Sequence, residues 1–362
     1  MKIVKFFKKL PSYSGHKKVF EINRPDVGLK GFIAIHNNKW GTAVGGTRIF
    51  PYASRNDAIA DVLRLSSAMT AKCVLSGVPY DGGKSVIIAD PFRQKNKNLL
   101  YAYAQEINKL KGSFYTGEDV GLSEEDVQFM LRYSPYFIGN SKLAGDPSPY
   151  AALSTLYSIQ AAAEVIFGSM NLDKKKIAVK GIGKVGMELV RLLKQNGANV
   201  IVADIDKKKL NSIKKLYPKI TVVNPSIIHA EKVDIYSPCA LGDDLNQSSI
   251  LGLKAKIICG AANNQLTKPE VGDSLFSMGI LYIPDYVANA GGLINVVDEL
   301  NKGGYDKKRV LNNIDGVRRR VKNIILLAYK KNVPPHRITD ELVSDALKLS
   351  FKNVYARRKI FF

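Results

Sequence analysis

Three ionisable side chains in the first third of the sequence are placed where they could do chemistry. Lys72 ends the apolar and small stretch "AMTAK", Lys84 opens the apolar run "KSVIIADP", and Asp119 lies in "FYTGEDVG". Lysines are seldom buried without a task. Burial and a like-charged neighbour both lower the pKa of a lysine. One lysine could therefore act as a base while the other binds an anion, and a nearby aspartate could exchange protons with them.

Asp81 stands three residues before Lys84, in the stretch "GVPYDGGKSVII". This stretch predicts a tight glycine loop that leads into a buried strand. A carboxylate within about 4–6 Å of the lysine would raise the pKa of the lysine and oppose base catalysis. We expect instead that Asp81 turns to solvent or accepts hydrogen bonds from the backbone of its own turn.

A second set of residues is typical of dinucleotide binding. Gly181, Gly183 and Gly186 form G-x-G-x-x-G after the strand-like segment "KIAVK", and Asp204 ends the next strand. The first glycine permits a tight turn, the second lets backbone approach a pyrophosphate, and the third lets the helix pack closely on the strand. A carboxylate at Asp204 repels a 2′-phosphate and favours NAD over NADP, although the lysines at 207–209 could weaken that preference.

The elements around these residues alternate between strand and helix, which indicates an α/β layer architecture. Strands are expected at 19–24, 30–36 and 84–91, and helices at 54–77, 97–112 and 123–134. Ser54 is expected to cap the first helix, and Ser123 with Asp126 forms a capping-box pattern. A long alanine-rich helix within 144–168 marks a crossing between domains, a basic helix is expected at 308–331, and the last helix at 338–355 could pack on either domain. The 362-residue length predicts two domains.

The net charge of +22 could attract nucleic acid, acidic membranes or anionic small molecules. The basic residues are scattered and are not interleaved with aromatic residues, so we favour a solvated basic surface without nucleic-acid or membrane partners. No secretory signal and no membrane-spanning run are predicted. No metal site is predicted, and the cysteines lack a CxxC pair, which is typical of a cytoplasmic protein with reduced thiols. The cysteines are Cys73, Cys239 and Cys259.

Nine sequence blocks resemble the signature blocks of the glutamate/leucine/phenylalanine/valine dehydrogenase family, in the order of that family. They are "AVGGTRIFPY", "AMTAK", "GGKSVIIADP", "TGEDVG", "GDPSP", "GIGKVG", "SPCALG", "GAANNQL" and "PDYVANAGGLINV". The branch that the chain resembles most comprises the leucine, phenylalanine, valine and tryptophan dehydrogenases. The resemblance implies reversible, NAD-linked oxidative deamination of an L-amino acid to a 2-oxo acid and ammonia, by a homo-oligomer.

The resemblance also implies how the chain is divided. Residues 1–140 are expected to form an α/β substrate-binding and oligomerisation domain, and residues 141–334 a Rossmann-type NAD-binding domain, with the catalytic cleft between them. The C-terminal helix, 335–362, is expected to pack back on the first domain.

The resemblance assigns roles to the first set of residues. Lys84 is expected to be the general base that activates water, and Asp119 to exchange protons with the amine. Lys72 is expected to bind the substrate carboxylate beside Gly45 and Gly46. The remaining cofactor contacts would extend from the glycine turn to the nicotinamide end; these residues are Lys184, Val185, Cys239, Ala240 and Asn263.

The substrate pocket is expected to be apolar, with its size graded by Gly117 and Leu293. Leucine-type members tend to carry alanine and valine at these positions, whereas glycine with leucine is similar to phenylalanine- and tryptophan-type members. Loss of one methyl group near the ring would deepen the pocket, an effect of about 1–3 kcal/mol. Val44 and Val287 would add apolar wall, and Asn289 would contact the substrate. We therefore expect an aromatic amino acid, with branched-chain substrates as the alternative.

Three features depart from the family pattern. Asp81 replaces a glycine, Lys184 replaces an asparagine in the glycine turn, and the chain is unusually basic. Lys184 could add a favourable charge near the pyrophosphate. Two alternatives stay open from the residues alone: a catalytically silent relative that senses a metabolite or binds a protein, and a dehydrogenase of a specialised pathway.

Overall fold

The computed structural model describes residues 1–4, 6–37, 39–140 and 142–349. Its contacts divide the chain into two compact units. The first holds Met1–Asp146, Val296–Lys307 and, within the described part, residues 346–349; the second holds Pro147–Asn295 and Lys308–Asp345. The sequence-based boundaries at 140 and 334 stay a prediction, and residues 350–362 of the expected C-terminal helix lie outside the described residues.

Two segments fall in a different unit from the one that the sequence suggested. Residues 335–345, which form most of the described part of the expected C-terminal helix, belong to the second unit and not to the first. Residues 296–307 lie inside the range expected for the second domain, yet they belong to the first unit. Hydrogen bonds join residues 296–307 to the first unit, since the Glu299 carboxylate accepts the backbone N–H groups of Gly139 at 3.3 Å and Asn140 at 3.0 Å. Burial raises the pKa of the Glu299 carboxyl to about 7, although these backbone donors act in the opposite direction.

The first unit is built on a six-stranded mixed sheet. Its strands are β1 (Lys2–Ile3), β2 (Lys18–Arg24), β3 (Leu29–Ile35), β4 (Ala43–Phe50), β5 (Asp81–Ile88) and β6 (Phe114–Gly117). They pair in the order β1-β2-β3-β5-β4-β6. Pairing is antiparallel from β1 through β3 to β5, and parallel among β5, β4 and β6.

Helices cover both faces of this sheet. They are α1 (Arg55–Ser76), α2 (Lys97–Asn108) and α3 (Glu124–Leu131). Apolar residues of α1, spaced as the sequence predicted, pack on one face with β2, β3 and β5; apolar residues of α2 and α3 pack on the other. The predicted caps are confirmed: Ser54 accepts the Asp57 N–H, and Ser123 with Asp126 closes a capping box. Lys72 lies inside α1 rather than at its end.

The glycine stretch before Lys84 is a strand and not the tight loop that the sequence suggested. Asp81 pairs with Ala43 of β4, and Gly83 pairs with Ile35 of β3. Glycine is needed here because neighbours approach the backbone closely. A β-carbon on Gly82 would lie 2.1 Å from the Thr70 nitrogen in α1, and one on Gly83 would lie 2.7 Å from the Phe114 ring.

The second unit has a parallel sheet with helices between its strands. The strands are β7 (Lys176–Lys180), β8 (Asn199–Ala203), β9 (Thr221–Val222), β10 (Ile235–Pro238), β11 (Ile257–Ile258) and β12 (Leu281–Tyr282). Their order is β12-β11-β10-β7-β8-β9. The chain starts at β7, builds outward to β9, and then returns to β10 on the other side of β7. Ligands bind at such a switch point, outside the carboxyl ends of the strands.

The remaining helices include those predicted within 144–168, after the glycine turn and at 308–331, together with others that the sequence did not predict. They are α4 (Ser148–Phe167), α5 (Lys184–Gln195), α6 (Lys207–Leu216), α7 (Pro269–Ser277), α8 (Asp285–Ala288), α9 (Gly291–Val297), α10 (Lys307–Lys331) and α11 (Pro335–Lys348). The alanine-rich α4 and the basic α10 are the two long helices predicted for this half of the chain. Across the part of the chain that the structure describes, no helix is both long and apolar enough to cross a membrane.

Candidate active site

Lys84 and Asp119 form a buried ion pair in the first unit. The Lys84 Nζ contacts Oδ2 of Asp119, and the lysine is 7% exposed. Lys84 comes from β5, and Asp119 follows β6, two strands that both border β4. The Val120 N–H donates a 2.6 Å hydrogen bond to Oδ1 of Asp119, which fixes the orientation of the carboxylate. The sheet therefore brings together a lysine and an aspartate that lie far apart in the sequence.

The surroundings of Lys84 favour its neutral amine. Burial, followed by the positive charge of Arg48, lowers the pKa of the Lys84 ammonium to about 7, and Lys72 adds to this effect. Asp61 acts in the opposite direction, as does the Asp119 carboxylate in contact with the amine. A lysine with a lowered pKa can accept a proton near neutral pH, as a general base must.

The residues expected to surround the substrate carboxylate lie around this pair. Gly46 is so close that a β-carbon on it would lie 3.2 Å from Lys84 Nζ and 2.6 Å from the Glu118 carbonyl oxygen. Gly45 is equally confined, since its β-carbon would lie 1.9 Å from the Gly83 carbonyl oxygen. Lys72 is half-buried on α1.

Two of the residues expected to line the substrate pocket are enclosed by the first unit. Val44 is fully buried. Gly117 pairs with Gly46 across the β4–β6 ladder, and a β-carbon on it would lie 2.6 Å from the Ile138 carbonyl oxygen. Such a β-carbon would point at backbone and not into open space. The close approach of Ile138 explains the glycine, and the expectation that a missing methyl group simply deepens the pocket is not supported.

Asp81 does not turn to solvent, so that part of the expectation is wrong. Its side chain is fully buried. The Asn37 Nδ2 donates to Oδ1 at 2.6 Å, and the Trp40 N–H donates to Oδ2 at 2.8 Å. Asp81 therefore binds backbone as expected, but the donor belongs to the loop before β4 and not to its own turn. Alternation along β5 directs Asp81 and Lys84 to opposite faces of the sheet.

Asp81 should make the stability of the first unit depend on pH. Burial raises the pKa of its carboxyl from 3.8 to about 6, although hydrogen bonds from Trp40, Asn37 and Gly41 oppose the shift. Because the folded-state pKa is raised, the stabilisation is complete below the ordinary value and is lost as the pH rises through about 6. The Asp81→Asn variant lacks this titration. The free energy of unfolding of the parent, relative to that of Asp81→Asn, should therefore fall between these pH values.

Fluorescence of Trp40, the single tryptophan of the chain, can follow this unfolding in urea at a series of pH values. Burial lowers the pKa of His16 to about 4 and also lowers the pKa of His36, so these two side chains add their own pH dependence to the stability. They are present in both proteins, and their contribution cancels in the difference. A difference between parent and Asp81→Asn that does not change with pH would contradict the prediction.

In the second unit, the glycine turn has the geometry that the fingerprint requires. Gly181 has φ +93°, and a β-carbon on it would lie 2.7 Å from the Ala240 Cα. A β-carbon on Gly186 would lie 2.0 Å from the Gly181 carbonyl oxygen. Gly183 differs, because nothing lies within 4 Å of its β-carbon position. Two glycines are thus explained by the fold, whereas the third leaves open space in front of a helix N-terminus.

That N-terminus is the start of α5. Gly183 is its N-cap and supplies no side-chain acceptor, and Lys184 and Val185 form its first turn. Lys184 is exposed. The Asp204 carboxylate accepts the Ile182 N–H at 2.7 Å on Oδ2 and the Asp206 N–H at 2.8 Å on Oδ1. Unsatisfied backbone N–H groups at a helix N-terminus attract phosphate, and Asp204 holds the adjacent loop in place.

The expected nicotinamide contacts follow β10 and β11, on the other side of the switch point. Ala240 is exposed beside Gly181, and burial raises the pKa of the Cys239 thiol. Asn289, which is 4% exposed, donates through Nδ2 to Oδ1 of Asn263 at 2.7 Å and to the Ala261 carbonyl oxygen at 3.1 Å. Within this unit, Asn289 therefore contacts Asn263, a residue expected at the nicotinamide end of the cofactor.

The two residues expected at the apolar wall of the second unit are both enclosed. Leu293 lies on α9 and is 9% exposed, and Val287 lies on α8 and is 1% exposed.

Sequence reasoning missed the charged residues that surround the Lys84–Asp119 pair. Arg48 lies 3.7 Å from Oδ1 of Asp119 and donates at 3.0 Å to Asp61, a residue of α1. Arg48 is part of the block "AVGGTRIFPY" and lies two residues after Gly46. Residues two apart on a strand share one face of the sheet, and this spacing could have indicated that Arg48 lies on the same face as Gly46.

Comparison with known proteins gives a consistent result. A model of the Glu/Leu/Phe/Val dehydrogenase dimerisation domain matches residues 16–135, and a model of the glutamate/leucine/phenylalanine/valine dehydrogenases matches residues 201–359. A leucine dehydrogenase of Bacillus subtilis is 39% identical, with 95% of this chain and 94% of the relative covered. A phenylalanine dehydrogenase of Thermoactinomyces intermedius is 40% identical, with 92% of each chain covered.

A solved structure is also similar over most of the chain. The crystal structure of L-tryptophan dehydrogenase from Nostoc punctiforme matches with a TM-score of 0.82 at 37% identity, covering 94% of this chain and 97% of the other. Relatives named as leucine, phenylalanine and tryptophan dehydrogenases are thus similar to this chain to nearly the same degree. The comparisons therefore do not distinguish among these substrates.

Proposed function

Because the chain belongs to the glutamate/leucine/phenylalanine/valine dehydrogenase family and is an amino acid dehydrogenase of its leucine, phenylalanine, tryptophan and valine branch, we propose that it oxidatively deaminates an aromatic L-amino acid with NAD. The products are the 2-oxo acid and ammonia. The observation that carries the proposal is the buried Lys84–Asp119 pair. The alternative of a catalytically silent relative is set aside with this assignment.

The glycine turn fits the dinucleotide. Open space at Gly183 and the N-terminus of α5 suit a pyrophosphate. Asp204 has both oxygens engaged by backbone donors, yet each carboxylate oxygen can accept a further hydrogen bond, as a ribose hydroxyl would require. Lys184 supplies a positive charge in the first turn. When bound, NAD supplies the hydride acceptor; the residues of this turn hold it by its phosphates and ribose.

The chemistry assigned to the first unit is proton transfer. Lys72 holds the substrate carboxylate as an ammonium. Once Cα has given up its hydride and become an imine carbon, neutral Lys84 takes a proton from water as the oxygen of that water bonds to this carbon. An O–H bond breaks, an N–H bond forms on Lys84, and the π electrons of the C=N bond move to the substrate nitrogen. Asp119 exchanges a proton with the departing amine. A side chain on Gly46 would lie against Asp119 and Lys84, so glycine at this position leaves space for the substrate backbone to approach the pair. At Gly45 the close approach is that of the Gly83 carbonyl oxygen.

The preference for an aromatic side chain is supported by the combination of Gly117 and Leu293, which is similar to that of phenylalanine- and tryptophan-type members. A branched-chain substrate is the second candidate, and it is favoured by the leucine dehydrogenase relative at 39% identity. A β-carbon at Gly117 would face the Ile138 carbonyl oxygen, so the size of the residue at 117 gives no steric argument for an aromatic substrate. The buried apolar side chain of Leu293 suits an aromatic or a branched-chain substrate.

The first unit also carries the proposed assembly. The family model that matches residues 16–135 describes a dimerisation domain, which supports a homo-oligomer formed through this part of the chain. A cytoplasmic location is supported by the three thiols, since all three are free in the structure.

The proposal is tested by incubating the protein with NAD and each of the twenty amino acids, and following NADH absorbance. Phenylalanine or tryptophan should have the highest kcat/KM, ahead of leucine and valine. Best turnover of leucine or valine would contradict the aromatic preference and leave the amino acid dehydrogenase intact. No turnover of any apolar amino acid would contradict the proposed reaction.

A further inference from the structure

Arg48 lies between two carboxylates of the first unit. Its Nη1 donates at 3.0 Å to Oδ2 of Asp61, and its Nη2 lies 3.7 Å from Oδ1 of Asp119. The Arg48 side chain is 20% exposed and each of the two aspartates 15%. A guanidinium is planar and stays protonated throughout the working pH range. Arg48 therefore places a permanent positive charge, in a fixed orientation, beside the Lys84–Asp119 pair.

Asp61 anchors Arg48 to α1. It also accepts the Tyr52 hydroxyl at 2.7 Å and the Arg64 Nη2 at 2.7 Å. Burial acts to raise the pKa of the Asp61 carboxyl, but the hydrogen bonds from Tyr52 and Arg64 and the charge of Arg48 outweigh it and hold the pKa below its ordinary value. Asp61 is therefore ionised at neutral pH and gives Arg48 a fixed partner.

The two carboxylate oxygens of Asp119 face different partners. Oδ1 of Asp119 faces Arg48 and accepts the Val120 N–H, which leaves Oδ2 for Lys84. The loop after β6, which carries Asp119, is hydrogen-bonded to β4 next to Arg48, because the Ile49 N–H donates at 2.8 Å to the Val120 carbonyl oxygen. One carboxylate oxygen thus serves the arginine and the other serves the lysine.

The charge around Lys84 comes from three elements. After burial, the charge of Arg48 has the largest influence on the Lys84 ammonium. The charged groups that face Lys84 are Arg48 from β4, Asp119 from the loop after β6, and Asp61, Arg64 and Lys72 from α1. Arg48 is the member of this set that lies near both carboxylates.

With the dehydrogenase reaction proposed above as its basis, we propose that Arg48, anchored by Asp61, is a positioning residue that directs Asp119 toward Lys84 and keeps Lys84 able to release its proton near neutral pH. Arg48 acts through these two side chains and has no proposed contact with the substrate. This role assigns a purpose to the Arg48–Asp61–Tyr52 network, which the fold alone does not require for its sheet pairing.

The test compares Arg48→Met, Arg48→Lys and the matched control Arg64→Met, which removes an arginine that also binds Asp61. The titration of Lys84 is measured without turnover, by competitive labelling of the whole protein with acetic anhydride at a series of pH values and quantification of the Lys84 peptide. In Arg48→Met the Lys84 titration should move up by about one pH unit. Arg48→Lys should recover part of the shift, and Arg64→Met should show the smallest change.

The acid limb of the kcat/KM profile for amino acid oxidation should move with the labelling result, while KM for NAD stays unchanged. A Lys84 titration that is the same in Arg48→Met as in the parent would overturn the proposal, even in a protein that oxidises amino acids. A parent that oxidises no amino acid would instead overturn the proposed function. The labelling experiment needs no turnover, so its result on Arg48 is obtained separately. Arg48→Gln carries the same expectation if Arg48→Met does not fold.

Discussion

Replacement of Lys84 by methionine should lower kcat for amino acid oxidation by about 10²–10⁴-fold, the contribution of a well-placed general base. Methionine preserves the length of the side chain but has no amine to accept a proton from water. Removal of Lys84 takes one partner away from the Asp119 carboxylate, which would be costly if no other positive charge were near. Arg48 remains 3.7 Å from Asp119 and compensates that carboxylate, so the fold should tolerate the change. Steady-state kinetics with phenylalanine and NAD measure the effect.

Lys95 offers a matched control for this variant. It is another lysine of the first unit that is paired with an aspartate, since its Nζ lies 2.5 Å from Oδ2 of Asp126. Lys95→Met removes a comparable ion pair away from the proposed site and should retain turnover. NAD binding, followed by calorimetry, should be the same in Lys84→Met as in the parent because the glycine turn belongs to the other unit. Retained turnover in Lys84→Met would refute the assignment of Lys84 as the base.

Replacement by alanine should destabilise the fold more at Gly186 than at Gly183, two glycines of the same turn. In Gly186→Ala the new β-carbon would lie 2.0 Å from the Gly181 carbonyl oxygen, so α5 must move from the turn at a cost of about 1–3 kcal/mol in the free energy of unfolding. In Gly183→Ala the β-carbon meets nothing within 4 Å. This variant should lose about 1 kcal/mol or less, from the weaker N-cap.

Affinity for NAD should be reduced by Gly183→Ala, the variant that loses less stability. The Gly183→Ala methyl group would occupy the space proposed for the pyrophosphate, so NAD should bind at least about tenfold more weakly, which corresponds to about 1.4 kcal/mol. Gly303→Ala is the control, since Gly303 also has nothing within 4 Å of its β-carbon position but lies in the first unit. Calorimetric titration with NAD and thermal unfolding measure the two effects. Unweakened NAD binding by Gly183→Ala would place the cofactor elsewhere.

The sequence by itself determined those features that depend on residues close together in the chain. Helix caps at Ser54 and Ser123, the apolar spacing of α1 and the strand–turn–helix around Gly181 are set by local backbone geometry. Such patterns are read from a few neighbouring residues. The order of the family blocks likewise indicated an amino acid dehydrogenase with two α/β domains, and the family models and relatives confirm that assignment.

The tertiary structure decided which groups meet across the sheet. The glycines before Lys84 looked like a turn because glycine is a turn residue, but α1 and the Phe114 ring approach them so closely that they belong to a strand. Asp81 was expected to turn to solvent or to its own turn because a turn offers local backbone donors to a carboxylate, yet it is buried and accepts hydrogen bonds from the loop before β4. Gly117 faces the Ile138 carbonyl oxygen. Arg48 links Asp61 to Asp119. These contacts join residues remote in sequence, and only the pairing of β4 with β5 and β6 brings them within reach.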